Sequence, residues 1–116
     1  MSYTNKQILQ QANAAITKGE YEGFLEHCTE NTSWNFIGEQ ILNGKQEVRE
    51  YMAKVYTEPP EFEVEHLIAE DDFVTALGKI KLNDEDGNKK QYDYCDVWRF
   101  EKGKMAELKA FVITGK

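Results

Sequence analysis

Apolar positions follow two periods along this chain, and the change from one to the other divides it. Up to Val55 they mostly recur with helical spacing; from Glu61 they alternate, as on one face of a strand. At the start, Thr4-Asn5-Lys6-Gln7 has the form of a capping box, with Thr4 as N-cap and Gln7 reaching back. Ile8, Leu9, Ala12, Ala15 and Ile16 then form a helical stripe, and Gly19 is a stop signal. A shorter helix follows, with Tyr21, Phe24, Leu25 and Cys28 on its apolar face and a break at Thr29-Glu30-Asn31. Ser33-Trp34-Asn35-Phe36-Ile37 reads as a short strand ending at Gly38, and Ile41-Leu42-Asn43-Gly44 as a turn. A third helix begins near Lys45 with Val48, Tyr51, Met52 and Val55 as its stripe, and Pro59-Pro60 prevents its continuation.

Beyond the prolines, Phe62, Val64, His66 and Ile68 share one strand face, opposite Glu61, Glu63 and Glu65. Asp71-Asp72 turns the chain into a strand from Phe73 to Leu82. Asn83-Asp84-Glu85-Asp86-Gly87-Asn88 then carries a hairpin signal in which Gly87 can supply positive φ. Gln91 to Phe100 is a strand rich in aromatics; Glu101-Lys102-Gly103-Lys104 turns it, and Met105 to Thr114 returns. Alternation places Tyr92, Tyr94, Asp96, Trp98 and Phe100 on one face, and Asp93, Cys95, Val97 and Arg99 on the other. The order is helix, helix, strand, helix, then four strands joined by short turns. It predicts an α+β domain, a curved antiparallel sheet wrapped around N-terminal helices and enclosing a cone-shaped cavity.

Composition narrows the partners. The 116 residues read as one domain, 1–116, long enough to bury roughly two-thirds of the unfolded surface. Fourteen basic residues against 21 acidic give a net charge of −7, which disfavours nucleic acid and anionic membranes, since both need basic patches. No apolar run approaches the roughly 20 residues that cross a bilayer. The start of the chain, Met1 to Lys6, is polar, so a cytoplasmic protein is the simplest reading. Cys28 and Cys95 sit in no metal-ligand spacing and read as free thiols acting as small apolar residues. With His27 and His66 far apart, no metal is expected, and no cofactor.

Four stretches carry a resemblance. They are Gly19-Glu20-Tyr21, then Trp34 with Gly38, then Ala69-Glu70-Asp71-Asp72-Phe73-Val74, and finally Asp96-Val97-Trp98-Arg99-Phe100 with Gly103-Lys104-Met105. In their order and spacing they resemble the nuclear transport factor 2-like superfamily, whose members include SnoaL-like polyketide cyclases, ketosteroid isomerases and limonene epoxide hydrolases. The resemblance covers nearly the whole chain. It implies a cystatin-like α+β barrel with an apolar pocket, and commonly a homodimer formed through the sheet. Asp96 matches the aspartate that helps form the isomerases' oxyanion hole. Their general-base aspartate falls at Asn35 or Phe36, and their first-helix tyrosine near Ala12. Against the epoxide hydrolases, Asp96 matches the aspartate of an Arg-x-Asp pair. Tyr94 stands in place of that arginine, and Val112 near the second aspartate. Both catalytic sets are incomplete.

Function therefore rests on individual residues. A carboxyl among aromatic rings is desolvated, which disfavours its charged form and raises its pKa. Asp96 is accordingly the candidate acid/base or oxyanion donor, with Tyr94 beside it as a second donor. Trp34, Tyr51, His66, Tyr94, Trp98 and Val112 are the candidate ligand-binding residues, while Phe24, Phe73 and Phe111 read as core. Cys95 and Val97, on the opposite sheet face, read as a subunit interface. The expected function is a pocket that binds a small hydrophobic or carbonyl-containing molecule. The alternatives are a cofactor-independent isomerase, cyclase or hydrolase using Asp96, and a non-catalytic dimeric scaffold. An enzyme requires Asp96 in an open cavity beside a second polar group; a scaffold requires it paired, or the cavity filled.

Overall fold

A computed structural model describes residues 4–83 and 86–114. The polar start at Met1 to Tyr3, and Asp84 and Glu85 of the expected hairpin turn, lie outside the described residues. Three helices, α1 (Asn5–Thr17), α2 (Tyr21–Leu25) and α3 (Lys45–Val55), pack on a sheet of six strands. These are β1 (Cys28–Phe36), β2 (Gln40–Asn43), β3 (Glu61–Glu70), β4 (Phe73–Asn83), β5 (Lys89–Glu101) and β6 (Lys104–Thr114).

Local chemistry sets the helix ends. The Thr4 hydroxyl accepts from the Gln7 amide at 3.2 Å, and the Gln7 side chain accepts from the Thr4 amide at 2.9 Å, completing the capping box. At the far end Gly19 takes φ 76°, with Glu20 N–H bonded to Ala15 O and Gly19 N–H to Ile16 O, a Schellman stop. The hairpin between β5 and β6 turns through Lys102 and Gly103, both at positive φ, which matches the twist of the flanking strands.

The sheet order is β2-β1-β6-β5-β4-β3, a curved sheet that does not close. Its pairings are antiparallel except that β1 runs parallel to β6. That pairing arises because α3 carries the chain away from β2 and the β3–β6 meander brings it back beside β1. Two local expectations change. β1 begins at Cys28, not Ser33, and Gln40–Asn43 pairs with β1 as an edge strand where a turn was expected. Pairing supplied by a neighbouring strand overrides the weak local signals of Thr29-Glu30-Asn31 and Ile41-Leu42.

The inner face of the sheet is legible in its rows. One row reads Val74, Trp98, Leu108, Trp34, and the next Ala76, Asp96, Ala110, Phe36. A third pairs Gly78, Tyr94 and Val112. Large side chains in the first row meet Phe24 and the buried stripes of α1 (Ile8, Leu9, Ala12, Ile16) and α3 (Val48, Met52) to form the core. In the next two rows Ala76, Gly78 and Ala110 are too small to reach the helices, and the concave face is left hollow.

One irregularity reverses an expectation. A bulge at Glu65 shifts the β3–β4 register: Val64 pairs with Gly78, but His66 pairs with Leu77. The extra residue turns the rest of β3 over. Leu67 therefore packs inward, while His66 and Ile68 are exposed on the outer face. His66 stands in one row with Leu77, Cys95 and Phe111, away from the cavity. Phe73 and Phe111, expected in the core, are 46% and 44% exposed because both fall on this outer face. Phe24 is fully buried.

Candidate functional site

The hollow between sheet and helices is a cavity of about 90 Å³. Its floor is the Ala76–Asp96–Ala110 row, with Trp98 and Leu108 at the deep end and Val112, 41% exposed, toward solvent. Asn13 and Ile16 of α1, Tyr51 of α3, and Tyr56 and Pro60 beyond it close the opposite side. Aromatic rings brace the walls. Trp34 meets Trp98 at 6.0 Å and Tyr51 at 6.2 Å, both edge to face, and Phe36 lies 5.1 Å from Tyr51.

Against this apolar lining stand five polar side chains, Asn13, Tyr51, Tyr56, Tyr94 and Asp96, together with the buried indole N–H of Trp34, which has no partner among the described residues. None of the five side chains has a hydrogen-bond or ion-pair partner among the described residues, where buried polar groups normally do. Asp96 is unpaired for a readable reason. Its cross-strand neighbours on both sides are alanines, so no lysine or arginine shares its row within reach. Asp93 and Arg99 of β5 face outward instead, where Asp93 pairs with Lys79, and Arg99 with Glu101 and Glu107.

The sequence candidates separate cleanly. Trp34, Tyr51, Tyr94, Asp96, Trp98 and Val112 are brought together around the cavity; His66 lies outside it, turned away by the bulge. Phe36, near where the resemblance places a general-base aspartate, offers the cavity only a ring. Among the contributors not read as site residues are Asn13, Ala76 and Ala110. Asn13 completes the inward run Leu9, Ala12, Asn13, Ile16, so its helical phase was the available signal. Ala76 and Ala110 act by being small, which leaves no local signal.

The SnoaL-like domain family matches residues 9–108. The chain belongs to that family. No curated protein sequence matches it. Solved structures of similar fold include an NTF2-like protein of unknown function from Cytophaga hutchinsonii, with TM-score 0.77 and 20% identity over 95% of this chain and all of that one. Another is SalBIII, an epoxide hydrolase/cyclase-like enzyme in pyran ring formation in the polyether salinomycin. It has TM-score 0.84 and 20% identity over 96% of this chain and 95% of that one. TerC, co-crystallised with polyporic acid, is similar at TM-score 0.79 and 16% identity over 92% and 89%.

In this SnoaL-like chain the cavity tunes its own titratable groups. Burial alone pushes the Asp96 carboxyl up to about 7, because no neighbouring cation or donor stabilises its charge. Burial likewise raises Tyr51 and Tyr94 to about 12, with the Asp96 charge adding to the shift at Tyr94. The Tyr56 hydroxyl is pushed further up by burial and then by Tyr51, Asp96 and Tyr21. The tyrosines thus stay protonated donors throughout the range in which Asp96 changes charge. Cys28, whose thiol burial raises to about 12, is inert core; Cys95 lies on the outer face, and both are free thiols.

Proposed function

We propose that the cavity binds a small hydrophobic carbonyl compound and that Asp96 transfers a proton to or from it without a cofactor. The observation that carries this reading is an unpaired carboxyl inside an otherwise apolar, partly open cavity, flanked by unpartnered hydroxyls. A carboxyl titrating near 7 is present in both forms at neutral pH, the condition under which general acid–base catalysis is most effective. A paired aspartate or a filled cavity would have favoured a scaffold. The structural likeness to SalBIII and TerC is in keeping with an enclosed small-molecule site. At about 90 Å³ the enclosed part is smaller than the ~150 Å³ void that takes benzene, so the buried portion of the ligand is no larger than one ring.

The test is deuterium exchange. Simple cyclic ketones are incubated with the protein in D₂O, and isotope at the carbon beside the carbonyl is followed by NMR. Catalysed exchange is expected, reduced about 100-fold in Asp96→Asn. Binding without exchange for every ketone would leave a binding protein only. Ala76→Leu, which fills the floor beside Asp96, is expected to abolish ketone binding while leaving the fold intact; unchanged affinity would place the ligand elsewhere.

We also propose that the outer sheet face pairs two copies of the chain. Phe111, Ile113, Phe73 and Ile68 are 44%, 66%, 46% and 56% exposed there, around Cys95, Val97 and Leu77. Equilibrium sedimentation is expected to give a dimer for the wild type and a monomer for Phe111→Glu. A wild-type monomer at all concentrations would refute the pairing.

A further inference from the structure

We propose that Tyr56 is a second catalytic group, the hydrogen-bond donor to the substrate's carbonyl oxygen across the cavity from Asp96. The inference rests on the reading that Asp96 moves a proton on a bound carbonyl compound, and it adds the partner that such a step requires. When the Asp96 carboxylate takes a proton from the carbon beside the carbonyl, the C–H electron pair becomes a C=C bond. The carbonyl π pair then moves onto oxygen. That oxygen needs a donor in a dry site, and the same proton returns from Asp96 to carbon, so no co-reactant is consumed.

Three tyrosines line the cavity, and geometry distinguishes them. The Tyr94 hydroxyl is laid against the sheet: it rests over Gly78, 3.1 Å from where a β-carbon there would stand. It also shares a strand with Asp96, so the two project from the same floor. Tyr51 stands within α3 against Trp34 and Phe36. Tyr56 instead comes from the roof, just past the last turn of α3, where its amide is bonded to Met52 O at 2.9 Å. The Tyr21 hydroxyl donates to the Tyr56 carbonyl at 3.1 Å and fixes the backbone from α2. Tyr21 and Tyr51 hold the ring at 5.8 and 6.0 Å between centroids. Backbone and ring are thus anchored, but the hydroxyl has no partner among the described residues. A positioned donor with no partner is preorganised for a ligand oxygen.

The test uses 4-nitrophenol, whose absorbance separates phenol from phenolate and whose anion imitates the charged oxygen of the intermediate. At a pH below the Asp96 titration, the wild type is expected to bind the phenolate. Tyr56→Phe is expected to weaken binding about tenfold or more, the loss typical of a hydrogen bond to a charged oxygen, with a smaller loss for Tyr94→Phe. In wild-type protein carrying ring-labelled tyrosine, the Tyr56 Cζ resonance is expected to move on binding, which keeps the test valid if the variant misfolds. If phenolate binding and the Cζ resonance are both indifferent to Tyr56 while Asp96 still titrates high, the Tyr56 role is overturned and the pocket reading stands. If the wild type binds no phenol and Asp96 titrates as an ordinary carboxyl, both fall.

Discussion

Asp96→Asn is expected to stabilise the protein above neutral pH while removing its proton chemistry. A carboxyl whose folded pKa is raised holds its proton more tightly in the native state, so folding is favoured while that proton is bound. The penalty is absent below the ordinary carboxylate value of 3.8, grows as pH rises, and is complete above the folded value of about 7. That gap of about 3 units corresponds to a ceiling of ~4 kcal/mol; water reaching the cavity lowers it to about 2–3 kcal/mol. Asparagine keeps the shape and carries no charge. No compensating partner is lost, since Ala76 and Ala110 flank Asp96 and the tyrosines beside it remain neutral. Urea unfolding is expected to give equal stabilities for the two proteins near pH 4, diverging in favour of the variant toward about pH 8. A variant destabilised at the higher pH would mean that Asp96 is held by an attractive partner. Stability given up for a titrating group is characteristic of functional sites.

Gly78→Ala is expected to be among the most damaging single changes in the sheet. A β-carbon at Gly78 would collide with the Glu63 carbonyl oxygen, backbone that cannot rotate aside. Glu63 lies just before the bulge, where β3 comes close over β4 on the inner face. Relief would require β3 to move or to lose its bulge, and loss of the bulge would exchange the residues facing in and out beyond it. The expected cost is about 2–4 kcal/mol, at the upper end for overpacking because the obstacle is main chain. Phe62 lines the cavity from the same strand, so ligand affinity is expected to fall with stability. Thermal unfolding checks the first effect. A change within about 0.5 kcal/mol would show that β3 has slack at the bulge and that the glycine is not required.

The bulge also marks where sequence reasoning succeeds and fails. Asp96, Tyr94 and Trp98 were readable as one face because alternation needs only local information, and β5 stays regular through them. His66 obeyed the same alternation on paper but followed an extra residue. The glycine that admits the bulge lies on β4, adjacent only after folding. Phe73 and Phe111 were placed in the core by hydrophobicity, which cannot tell the inner sheet face from an apolar outer one. β2 was missed because a strand of four residues gains its order from β1 and not from its own composition. Tyr56 was legible from its size alone as a residue that lines a pocket or fills the core; it follows the end of α3, outside any periodic stripe, and its carbonyl is anchored by Tyr21. The hollow itself depends on Ala76 and Gly78 of β4 and Ala110 of β6 coinciding on two neighbouring rows, a pattern visible only in the register.

The central claim is that Asp96 is a desolvated, unpaired acid in a working cavity, and its own titration tests this most directly. The carboxyl ¹³C resonance of Asp96 is followed by NMR as a function of pH, with and without a bound ketone. The expected midpoint is about 7, shifting when the ketone binds. A midpoint at or below the ordinary ~3.9, indifferent to every ketone, would contradict the account and return Asp96 to the role of a paired structural residue.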